Sequence, residues 1–342
     1  MMNQLLPETR SGAAKSLVEV RGLVKHFDLP RGVRVWRPRS VVHAVNDVDL
    51  EVARGEFLAV IGESGSGKTT LGRCMAGLVA PTAGSIRFDD QPYVEVRKTA
   101  GSRRVIRHRS RAEMATRVQM VFQDPSSALN PRKTVRAALL EPLLVHGLLS
   151  RAAARARVDE LLELTGVGHG VGSRFPHELN SGQRQRVVIA RALTVGPDIL
   201  IADEPVSKLD VSMQGQILNL LTQLHRDFDL TIVFITHDLS VVRQVAERVV
   251  VMYLGRVMEA CDSDAFFRSP RHPYSEALVA AAPRFAWQGE EEPLLEGEIP
   301  SPIDLPPGCP FASRCPLASS DCLNAVPPLH DSNGHLVACI KR

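Results

Sequence analysis

The stretch that decides the fold is residues 56–69, EFLAVIGESGSGKT. Its first six residues form a short apolar run that ends at a glycine, the pattern of a buried strand in a parallel sheet. The last eight match G-x-x-x-x-G-K-[ST], a loop whose backbone N–H groups surround phosphate oxygens. Residues 70–78 have helical composition, and a helix presents the positive end of its dipole to the same anion. The stretch therefore predicts a strand, a phosphate-binding P-loop (residues 62–69) and a helix.

The residue types in the P-loop suit a nucleotide. Three glycines let the backbone approach the phosphates, Lys68 reaches the β- and γ-phosphates, and the Thr69 hydroxyl coordinates Mg²⁺. A glycine-rich turn can also be of no consequence, but the strand before it and the helix after it favour a nucleotide site. The predicted ATP-binding residues here are Gly62, Glu63, Ser64, Gly65, Ser66, Gly67, Lys68, Thr69 and Thr70.

A second apolar strand, residues 199–202, ends in two carboxylates, Asp203 and Glu204. Two acids at the end of a strand can be a solvated turn, but the burial pattern of this strand and the P-loop upstream favour a catalytic pair. Asp203 is placed to hold Mg²⁺, directly or through water. Glu204 is placed to polarise the water that attacks the γ-phosphate.

The rest of the chain alternates strand and helix signals. Strands are predicted over residues 17–27, 41–52 and 231–236, and helices over 137–164 with a break at 146–150, over 181–194 and over 213–228. This alternation indicates an α/β fold with a mainly parallel sheet. Residues 1–16 are polar and are expected to be disordered. The proline-rich, acidic stretch from Pro283 predicts an extended linker to a small separate tail.

Composition limits the classes of function. Net charge is 41 − 38 = +3, too small to argue by itself for nucleic acid or membrane binding. No apolar run approaches the roughly 18 residues that span a bilayer. The N-terminus lacks the pattern of a signal peptide, so we expect a cytosolic chain that reaches a membrane through partners. Residues 97–117 hold eight Lys and Arg against Glu113 alone; we interpret them as a solvated loop, with a surface for an anionic partner as the alternative.

With these motifs in this order, the chain resembles the ATPase subunits of ABC transporters. Gln123 in VFQDP resembles the Q-loop glutamine, which contacts Mg²⁺ and senses the γ-phosphate. Residues 179–186, LNSGQRQR, occupy the position of the signature motif. Asp210 in SKLD resembles the D-loop aspartate, and His237 in FITHDLS the switch histidine.

The resemblance implies a P-loop NTPase fold of the ABC ATPase type, with a mainly parallel core sheet, an antiparallel β subdomain and a helical subdomain. The expected boundaries are 17–270 for the ATPase domain, about 124–190 for its helical subdomain, and 271–342 for a small cysteine-containing C-terminal extension. Two such domains are expected to close head to tail, so that each ATP lies between one chain's P-loop and the other chain's signature helix.

The resemblance also assigns roles to residues. The catalytic residues are Lys68, Glu204 and His237, and the Mg²⁺ ligands are Thr69, Gln123 and Asp203. Phe27 is the candidate that stacks on adenine; plain core packing is the alternative for Phe27, and Trp36 is a second candidate for the adenine.

The signature motif departs from the family's LSGGQ. Asn180 replaces the serine expected to hydrogen-bond the γ-phosphate, and Ser181 adds a Cβ where the family has glycine. Lys208 replaces the usual alanine of the D-loop. Asn180, Ser181, Gly182 and Gln183 are predicted to contact the partner's ATP. Two interpretations stay open: the site that this signature forms hydrolyses ATP slowly, or the changes are tolerated drift.

The tail narrows the resemblance. HPYSEALVAAAP (residues 272–283) and GEIPSPIDLPPGCPFASRCPLA (residues 297–318) resemble the C-terminal extension of oligopeptide/dipeptide importer ATPases, in the branch of OppF and DppF. This implies an ATP-hydrolysing subunit that energises the import of di- or oligopeptides, bound peripherally at the cytoplasmic face of the plasma membrane. The alternative is a soluble ABC-type ATPase acting on nucleic acid or ribosomes, which only the basic stretch supports.

The importer resemblance also implies a set of partners. They are a second ABC ATPase subunit, expected to make a heterodimer, two transmembrane permease subunits and an extracytoplasmic solute-binding protein. No nucleic acid partner is expected. ATP and Mg²⁺ are the implied cofactors.

Four cysteines lie in the tail with the spacing C-x5-C-x6-C-x16-C: Cys309, Cys315, Cys322 and Cys339. In a cytosolic chain they suggest a metal rather than disulfides. Some relatives hold a [4Fe–4S] cluster in this extension, and four thiolates suit one. A Cys₄ zinc ion, although the usual close pairs are absent, and no metal at all stay open as alternatives. Cys74 and Cys261 are interpreted as buried thiols.

Overall fold

The computed structural model describes residues 16–29, 40–99, 102–282 and 297–342. Residues 1–15 of the predicted disordered segment, Trp36 and the predicted linker residues 283–296 lie outside the described residues. The expectation that Ser16 is disordered is wrong, because Ser16 is the first residue of a strand.

Within the described residues the chain forms thirteen strands and eleven α-helices. The strands are β1 Ser16–Asp28, β2 Val41–Ala53, β3 Phe57–Ile61, β4 Ala83–Phe88, β5 Gln91–Thr99, β6 Ser102–Arg107, β7 Val118–Val121, β8 Ile199–Asp203, β9 Thr231–Ile235, β10 Arg248–Tyr253, β11 Arg256–Asp262, β12 His330–Ser332 and β13 His335–Val337. The helices are α1 Lys68–Met75, α2 Arg111–Arg117, α3 Pro125–Ala128, α4 Val135–Val145, α5 Arg151–Leu164, α6 Ser181–Leu193, α7 Val211–Phe228, α8 Leu239–Val245, α9 Ser263–Arg268, α10 Pro273–Ala280 and α11 Ser320–Asn324.

The predicted break in the long helical stretch is present, between α4 and α5. Gly147 has a left-handed φ of +61°, which ends the first helix. Ser150 begins the second, because its hydroxyl accepts the N–H of Ala153 at the N-cap. Local capping chemistry therefore explains why one apolar, alanine-rich stretch forms two helices.

The basic stretch is not a loop, and this prediction was wrong. Residues 97–99 lie on β5 and residues 102–107 form β6, and Arg97 pairs with Arg104 across these antiparallel strands. The next residues form α2, whose N-cap Ser110 accepts the N–H of Glu113. Because β6 lies at the edge of its sheet, its arginines can keep their charges in water, which suits an edge strand.

The larger of two compact units contains Ser16–Val52, Leu58–His108 and Ile235–Arg342. It holds an antiparallel sheet in the order β2-β1-β4-β5-β6 and a second set of strands in the order β12-β13-β11-β10-β3. Strands β3 and β10 run parallel, and every residue of β3 is buried. The parallel strand predicted before the P-loop is thus present.

The C-terminal tail is not separate from this unit, contrary to the expectation. Strand β13 pairs with β11, and Phe311 and Cys309 share one apolar cluster with Ile61, the last residue of β3. The tail carries too few apolar residues for a core of its own, so it packs on the strand that leads into the P-loop. The domain boundary at residue 270 stays a prediction.

The smaller unit contains Ala53–Phe57 and Arg109–Phe234, with strands in the order β9-β8-β7 and helices α2 to α7. Strands β7 and β8 run parallel, with Val121 opposite Ala202 at their carboxyl ends. Asp198 pairs with Arg117 at 2.6 Å and with Arg54 at 3.1 Å just before β8.

Among the residues that the structure describes, no helix has both the length and the apolar composition needed to cross a bilayer.

Candidate functional site

The P-loop packs closely against the backbone of two neighbouring segments, at Met252 and Ala44. Gly62 has φ +144°, and a Cβ there would lie 2.1 Å from the Met252 carbonyl oxygen. Gly67 has φ +101°, and a Cβ there would lie 2.2 Å from the Ala44 carbonyl oxygen. Both positions therefore require glycine, for the backbone angle and for the close approach. The motif glycines build the loop as the sequence predicts.

Lys68 folds back over this loop. Its side chain is buried, and Nζ donates to the Gly62 oxygen at 2.6 Å, the Glu63 oxygen at 2.8 Å and Ser66 Oγ at 3.2 Å. Lys68 is also the first residue of α1, whose N-cap Gly67 has no side chain to cap the helix. The Lys68 ammonium and the first N–H groups of α1 thus lie at the same loop. Together they form a positively polarised site that suits an anion. Thr69 and Thr70 are half-buried in the first turn, whereas Ser64 and Gly65 are exposed.

A buried asparagine that the sequence analysis missed supports the loop. Asn46, on β2, donates through Nδ2 to the Leu254 and His43 oxygens at 3.0 and 3.1 Å. Its backbone N–H donates to the Gly255 oxygen, and the Gly255 N–H donates to the Ser66 oxygen at 2.9 Å. A single buried amide on a strand carries no sequence motif, so no local pattern could have identified Asn46.

The C-terminal extension also reaches the P-loop. Arg314 donates through both terminal nitrogens to the two Glu63 carboxylate oxygens, at 2.7 and 3.1 Å. The Glu63 N–H donates to the Tyr274 hydroxyl at 2.9 Å. The hydrogen bond to Glu63 raises the pKa of Arg314, so the guanidinium stays protonated. Arg314 and Tyr274 lie within the tail stretches that carry the importer resemblance, but nothing local links them to Glu63.

The two predicted carboxylates lie at the carboxyl end of β8, and Gln123 follows the neighbouring strand β7. Asp203 is the last residue of β8 and is buried, and Glu204 follows it with a left-handed φ of +46°. Gln123 Nε2 donates to Glu204 Oε2 at 2.5 Å. Since these strands are parallel neighbours, their carboxyl ends meet, and the structure brings Gln123 and Glu204 together. A non-glycine residue in the left-handed region is strained, a feature common at functional sites.

The signature and D-loop segments contact each other within the smaller unit. Asn180 Oδ1 caps α6 by accepting the Gln183 N–H at 2.8 Å, and Gln183 Oε1 accepts the Asn180 N–H at 3.3 Å. A Cβ on Gly182 would lie 2.0 Å from Met213 Sδ, in the first turn of α7. Asp210 caps that helix by accepting the Met213 N–H at 2.9 Å. Asn180 therefore performs the capping role that serine would have.

The remaining predicted site residues lie in the larger unit. His237 follows β9 and is exposed. Phe27 lies on β1 with 38 % of its surface exposed, so the core-packing alternative for Phe27 is wrong. The Lys25 ammonium lies 4.7 Å from the centre of the Phe27 ring, a cation–π contact. Adenine stacking by Phe27 stays a prediction.

The four tail cysteines line one cavity, together with His272, Leu317 and Ile340, and none of them is in a disulfide. The Cys309 N–H donates to the Cys322 oxygen at 2.7 Å, and this approach requires Gly308, where a Cβ would lie 2.2 Å from the same oxygen. Burial raises the pKa of Cys309 to about 11, and a backbone hydrogen bond from Ser319 lowers the pKa of Cys322.

The ligand alternatives for these cysteines can be set beside the other buried groups that could hold a metal. Among the described residues, the one group of three or more His, Cys, Asp or Glu ligand atoms that all lie within 4.8 Å is Glu259, Cys261 and His335. The four tail thiols line one cavity elsewhere in the same unit. A [4Fe–4S] cluster and a zinc ion both take four thiolates, and the choice between them stays a prediction.

The other buried cluster is a structural one. The Glu259 carboxylate accepts the N–H groups of Arg271 and His272 at 2.8 Å each, and His335 Nε2 lies 2.6 Å from it. These bonds occupy both oxygens. Cys74 and Cys261 are buried, as predicted, and burial raises the pKa of each to about 12.

Comparisons with known proteins agree with this architecture. Residues 45–207 match the family described as ABC transporter, and residues 258–322 match the family described as oligopeptide/dipeptide transporter, C-terminal region. The chain is 46 % identical to a putative peptide import ATP-binding protein of Brucella abortus, over 95 % of this chain and 94 % of that one. It is 41 % identical to the oligopeptide transport ATP-binding protein AppF of Bacillus subtilis, over 95 % of this chain and 97 % of AppF.

Solved structures give the same fold. The dimeric, post-hydrolysis ATP-binding cassette MJ0796 bound to ADP and Pi is 27 % identical, with a TM-score of 0.59 over 72 % of this chain and 98 % of that one. The protein cbiO1 of Clostridium perfringens, part of the cbiONQ transporter complex, is 28 % identical, with a TM-score of 0.60 over 74 % and 91 % of the two chains.

The fold and the P-loop therefore define an ABC-type ATPase, as predicted. Within that class, the chain belongs to the ATP-binding proteins that carry the C-terminal region of oligopeptide/dipeptide transporters.

Proposed function

We propose that the chain is an ATP-hydrolysing subunit that energises the import of di- or oligopeptides across the cytoplasmic membrane. The observation that carries the proposal is the combination, in one chain, of an ABC cassette with the oligopeptide/dipeptide transporter C-terminal region. The chain aligns with nearly the whole length of relatives that are named for peptide import or oligopeptide transport. The alternative of an ATPase acting on nucleic acid is not favoured by these relatives.

The phosphates of ATP bind at the P-loop in this proposal. Lys68 donates to loop oxygens at 2.6 and 2.8 Å and reaches the β- and γ-phosphates by exchanging these acceptors for phosphate oxygens. The uncapped first turn of α1 adds backbone N–H groups aimed at the same charge. Much of the rate enhancement is then electrostatic, because fixed donors stabilise the charge that develops on the transferring phosphoryl group.

The residues that act on the attacking water lie near the carboxylates Asp203 and Glu204. Glu204 polarises the attacking water, and the hydrogen bond from Gln123 orients its carboxylate. His237 senses the γ-phosphate as the switch histidine. Thr69, Gln123 and Asp203 would hold Mg²⁺, a hard cation that takes oxygen ligands and neutralises phosphate charge when bound.

A complete site needs a second ATPase. Asn180, Ser181, Gly182 and Gln183 at the start of α6 contact the ATP on the partner's P-loop, and Asp210 lies at the same interface. We infer a heterodimer of ATPases, two transmembrane permeases and an extracytoplasmic solute-binding protein. The chain is then bound peripherally at the cytoplasmic face of the membrane.

The tail in this proposal binds a [4Fe–4S] cluster through Cys309, Cys315, Cys322 and Cys339. Support comes from the common cavity that the four thiols line and from the suitability of four thiolates for such a cluster. Its chemistry there is structural ligation, which would tie four distant positions of a small tail together.

The experiment is peptide uptake and ATP hydrolysis by the complex assembled from this chain and the products of neighbouring genes. Lys68→Ala and Glu204→Gln should each reduce hydrolysis and uptake at least about a hundredfold, since each removes a group used in the transition state. Glu113→Gln, an exposed carboxylate on α2, is the matched control and should leave both rates unchanged. Hydrolysis without uptake of any peptide would overturn the importer assignment. Wild-type rates in the two site variants would overturn the assigned site.

A further inference from the structure

Arg314 contacts the second residue of the P-loop through a paired hydrogen bond. Nη1 donates to Glu63 Oε2 at 2.7 Å and Nη2 donates to Glu63 Oε1 at 3.1 Å. The Arg314 side chain is 3 % exposed and that of Glu63 is 23 % exposed. Such a bidentate pair fixes orientation as well as distance, and it is screened far less than a surface ion pair.

Every polar group of Glu63 has a partner. Its carboxylate binds Arg314, its N–H donates to the Tyr274 hydroxyl at 2.9 Å, and its carbonyl oxygen accepts from Lys68 Nζ at 2.8 Å. The extension supplies two of these partners and the catalytic lysine supplies the third. The position of Glu63, and with it the first turn of the P-loop, therefore depends on the extension.

Aromatic rings hold Arg314 in turn. Its guanidinium carbon lies 5.8 Å from the centre of the Tyr253 ring and 5.9 Å from that of Phe311. Tyr253, Tyr274 and Phe311 contact one another, with centroid separations of 4.7 to 5.5 Å. The same apolar cluster contains Cys309 and Cys322. Loss of the folded tail would therefore displace Arg314.

We propose that Arg314 is a positioning residue for the P-loop, through which the folded four-cysteine tail sets the affinity for ATP. The proposal rests on the nucleotide site proposed above. ATP draws Lys68 away from the Glu63 oxygen, while Arg314 and Tyr274 keep the Glu63 backbone in place. The loop is then ordered before the nucleotide arrives, and binding does not have to supply that order.

The first test measures the KM and kcat of ATP hydrolysis in the assembled complex. Arg314→Gln should raise the KM for ATP on the order of tenfold and change kcat less than about twofold, because ordering of the loop is lost but the transition-state groups remain. Arg314→Lys, which keeps one charged donor, should lie between. Arg268→Gln is the matched control, because Arg268 forms a solvent-exposed ion pair with Asp264. This variant should have the KM and kcat of the wild type.

Because Arg314 is buried, Glu63→Gln provides a second variant that leaves the tail intact. It should raise the KM to a similar extent, and the double variant Glu63→Gln with Arg314→Gln should be no worse than the worse single variant. Additive effects of the two changes would overturn the proposal. So would an unchanged KM in both single variants.

The second test asks whether the tail acts through Arg314. Cys309→Ser should raise the KM for ATP in the wild-type background and change it little in the Arg314→Gln background. Equal effects in the two backgrounds would overturn transmission through Arg314. ATP binding to Lys68→Ala, measured by calorimetry in parallel, separates the two proposals. If Lys68→Ala binds ATP as tightly as the wild type does, the proposed nucleotide site is wrong. If Lys68→Ala loses ATP binding but Arg314→Gln binds ATP as tightly as the wild type does, only the positioning role of Arg314 is wrong.

Discussion

Gln123 and Glu204 share a hydrogen bond of 2.5 Å between Nε2 and Oε2, at the carboxyl ends of two parallel strands. The bond joins a glutamine proposed to sense nucleotide to the carboxylate proposed to aim water. Glu204 also has a strained backbone angle, φ +46°, a feature common at functional sites. Removal of the bond should loosen the carboxylate without unfolding the strands.

The first prediction concerns this bond. Gln123→Ala should lower kcat for ATP by about ten- to a hundredfold, because Glu204 loses its orienting donor and Mg²⁺ one of its proposed ligands. Gln119→Ala is the control: this glutamine lies on β7, the strand that precedes Gln123, and donates to the Ala115 oxygen. Steady-state hydrolysis by the assembled complex provides the measurement. Equal rates for the two variants would contradict the assigned role of Gln123.

The second prediction concerns the altered signature. The double substitution Asn180→Ser with Ser181→Gly restores the family pattern and should raise ATP turnover of the complex, because the shorter serine and the absent Cβ allow closer approach to the γ-phosphate. Serine caps a helix about as well as asparagine, so the thermal midpoint should change little. Asn180→Ala, which removes the cap, should instead lower stability by about 1 kcal/mol. Unchanged turnover in the double variant would favour tolerated drift.

Sequence reasoning succeeded where the deciding interactions are local. The strand, glycine-rich loop and helix at residues 56–78 follow from adjacent residues. The contact of Gln123 with Glu204 joins residues 81 positions apart, and the sequence analysis did not predict it. The pair Glu63 and Arg314 is separated by 251 positions, and no periodicity encodes such a contact.

The basic strand β6 escaped prediction for a different reason. Arg103, Arg104 and Arg107 on β6 give no alternation of apolar and polar residues, because an edge strand can keep charged side chains in water. The separate tail was a misreading of composition. The proline-rich, acidic stretch after Pro283 predicted a linker to a separate tail, but the apolar residues of the tail complete a core that β3, β10 and β11 already provide.

The third prediction is the metal content of the tail. The full chain, purified without oxygen, should contain about four iron and four acid-labile sulfide per molecule, since four thiolates that line one cavity suit a [4Fe–4S] cluster. Cys322→Ser should lower the iron content, whereas Cys74→Ser, in the α1 helix, should not. One zinc per chain, or no metal, would contradict the cluster. Elemental analysis and visible absorption give the readout independently of ATPase activity.

The fourth prediction uses two glycines that meet different surroundings. A Cβ on Gly182 would lie 2.0 Å from Met213 Sδ, whereas a Cβ on Gly215, within α7, meets nothing within 4 Å. Gly215→Ala should therefore stabilise the chain by about 0.5–1 kcal/mol, because alanine loses less backbone entropy in a helix. Gly182→Ala should leave the chain about 1 kcal/mol less stable than Gly215→Ala does, since the flexible Met213 thioether must move aside for the new methyl group.

The same pair tests how the signature and D-loop are coupled. Because Asp210 caps α7 through the Met213 N–H, displacement of Met213 by Gly182→Ala should disturb the D-loop and lower ATP turnover. A second change, Met213→Ala, makes room for the new methyl group and should recover part of the lost stability and turnover. Chemical denaturation and hydrolysis rates measure both effects. If Gly182→Ala were as stable and as active as Gly215→Ala, the packing of the signature helix on Met213 would have no role in placing the D-loop.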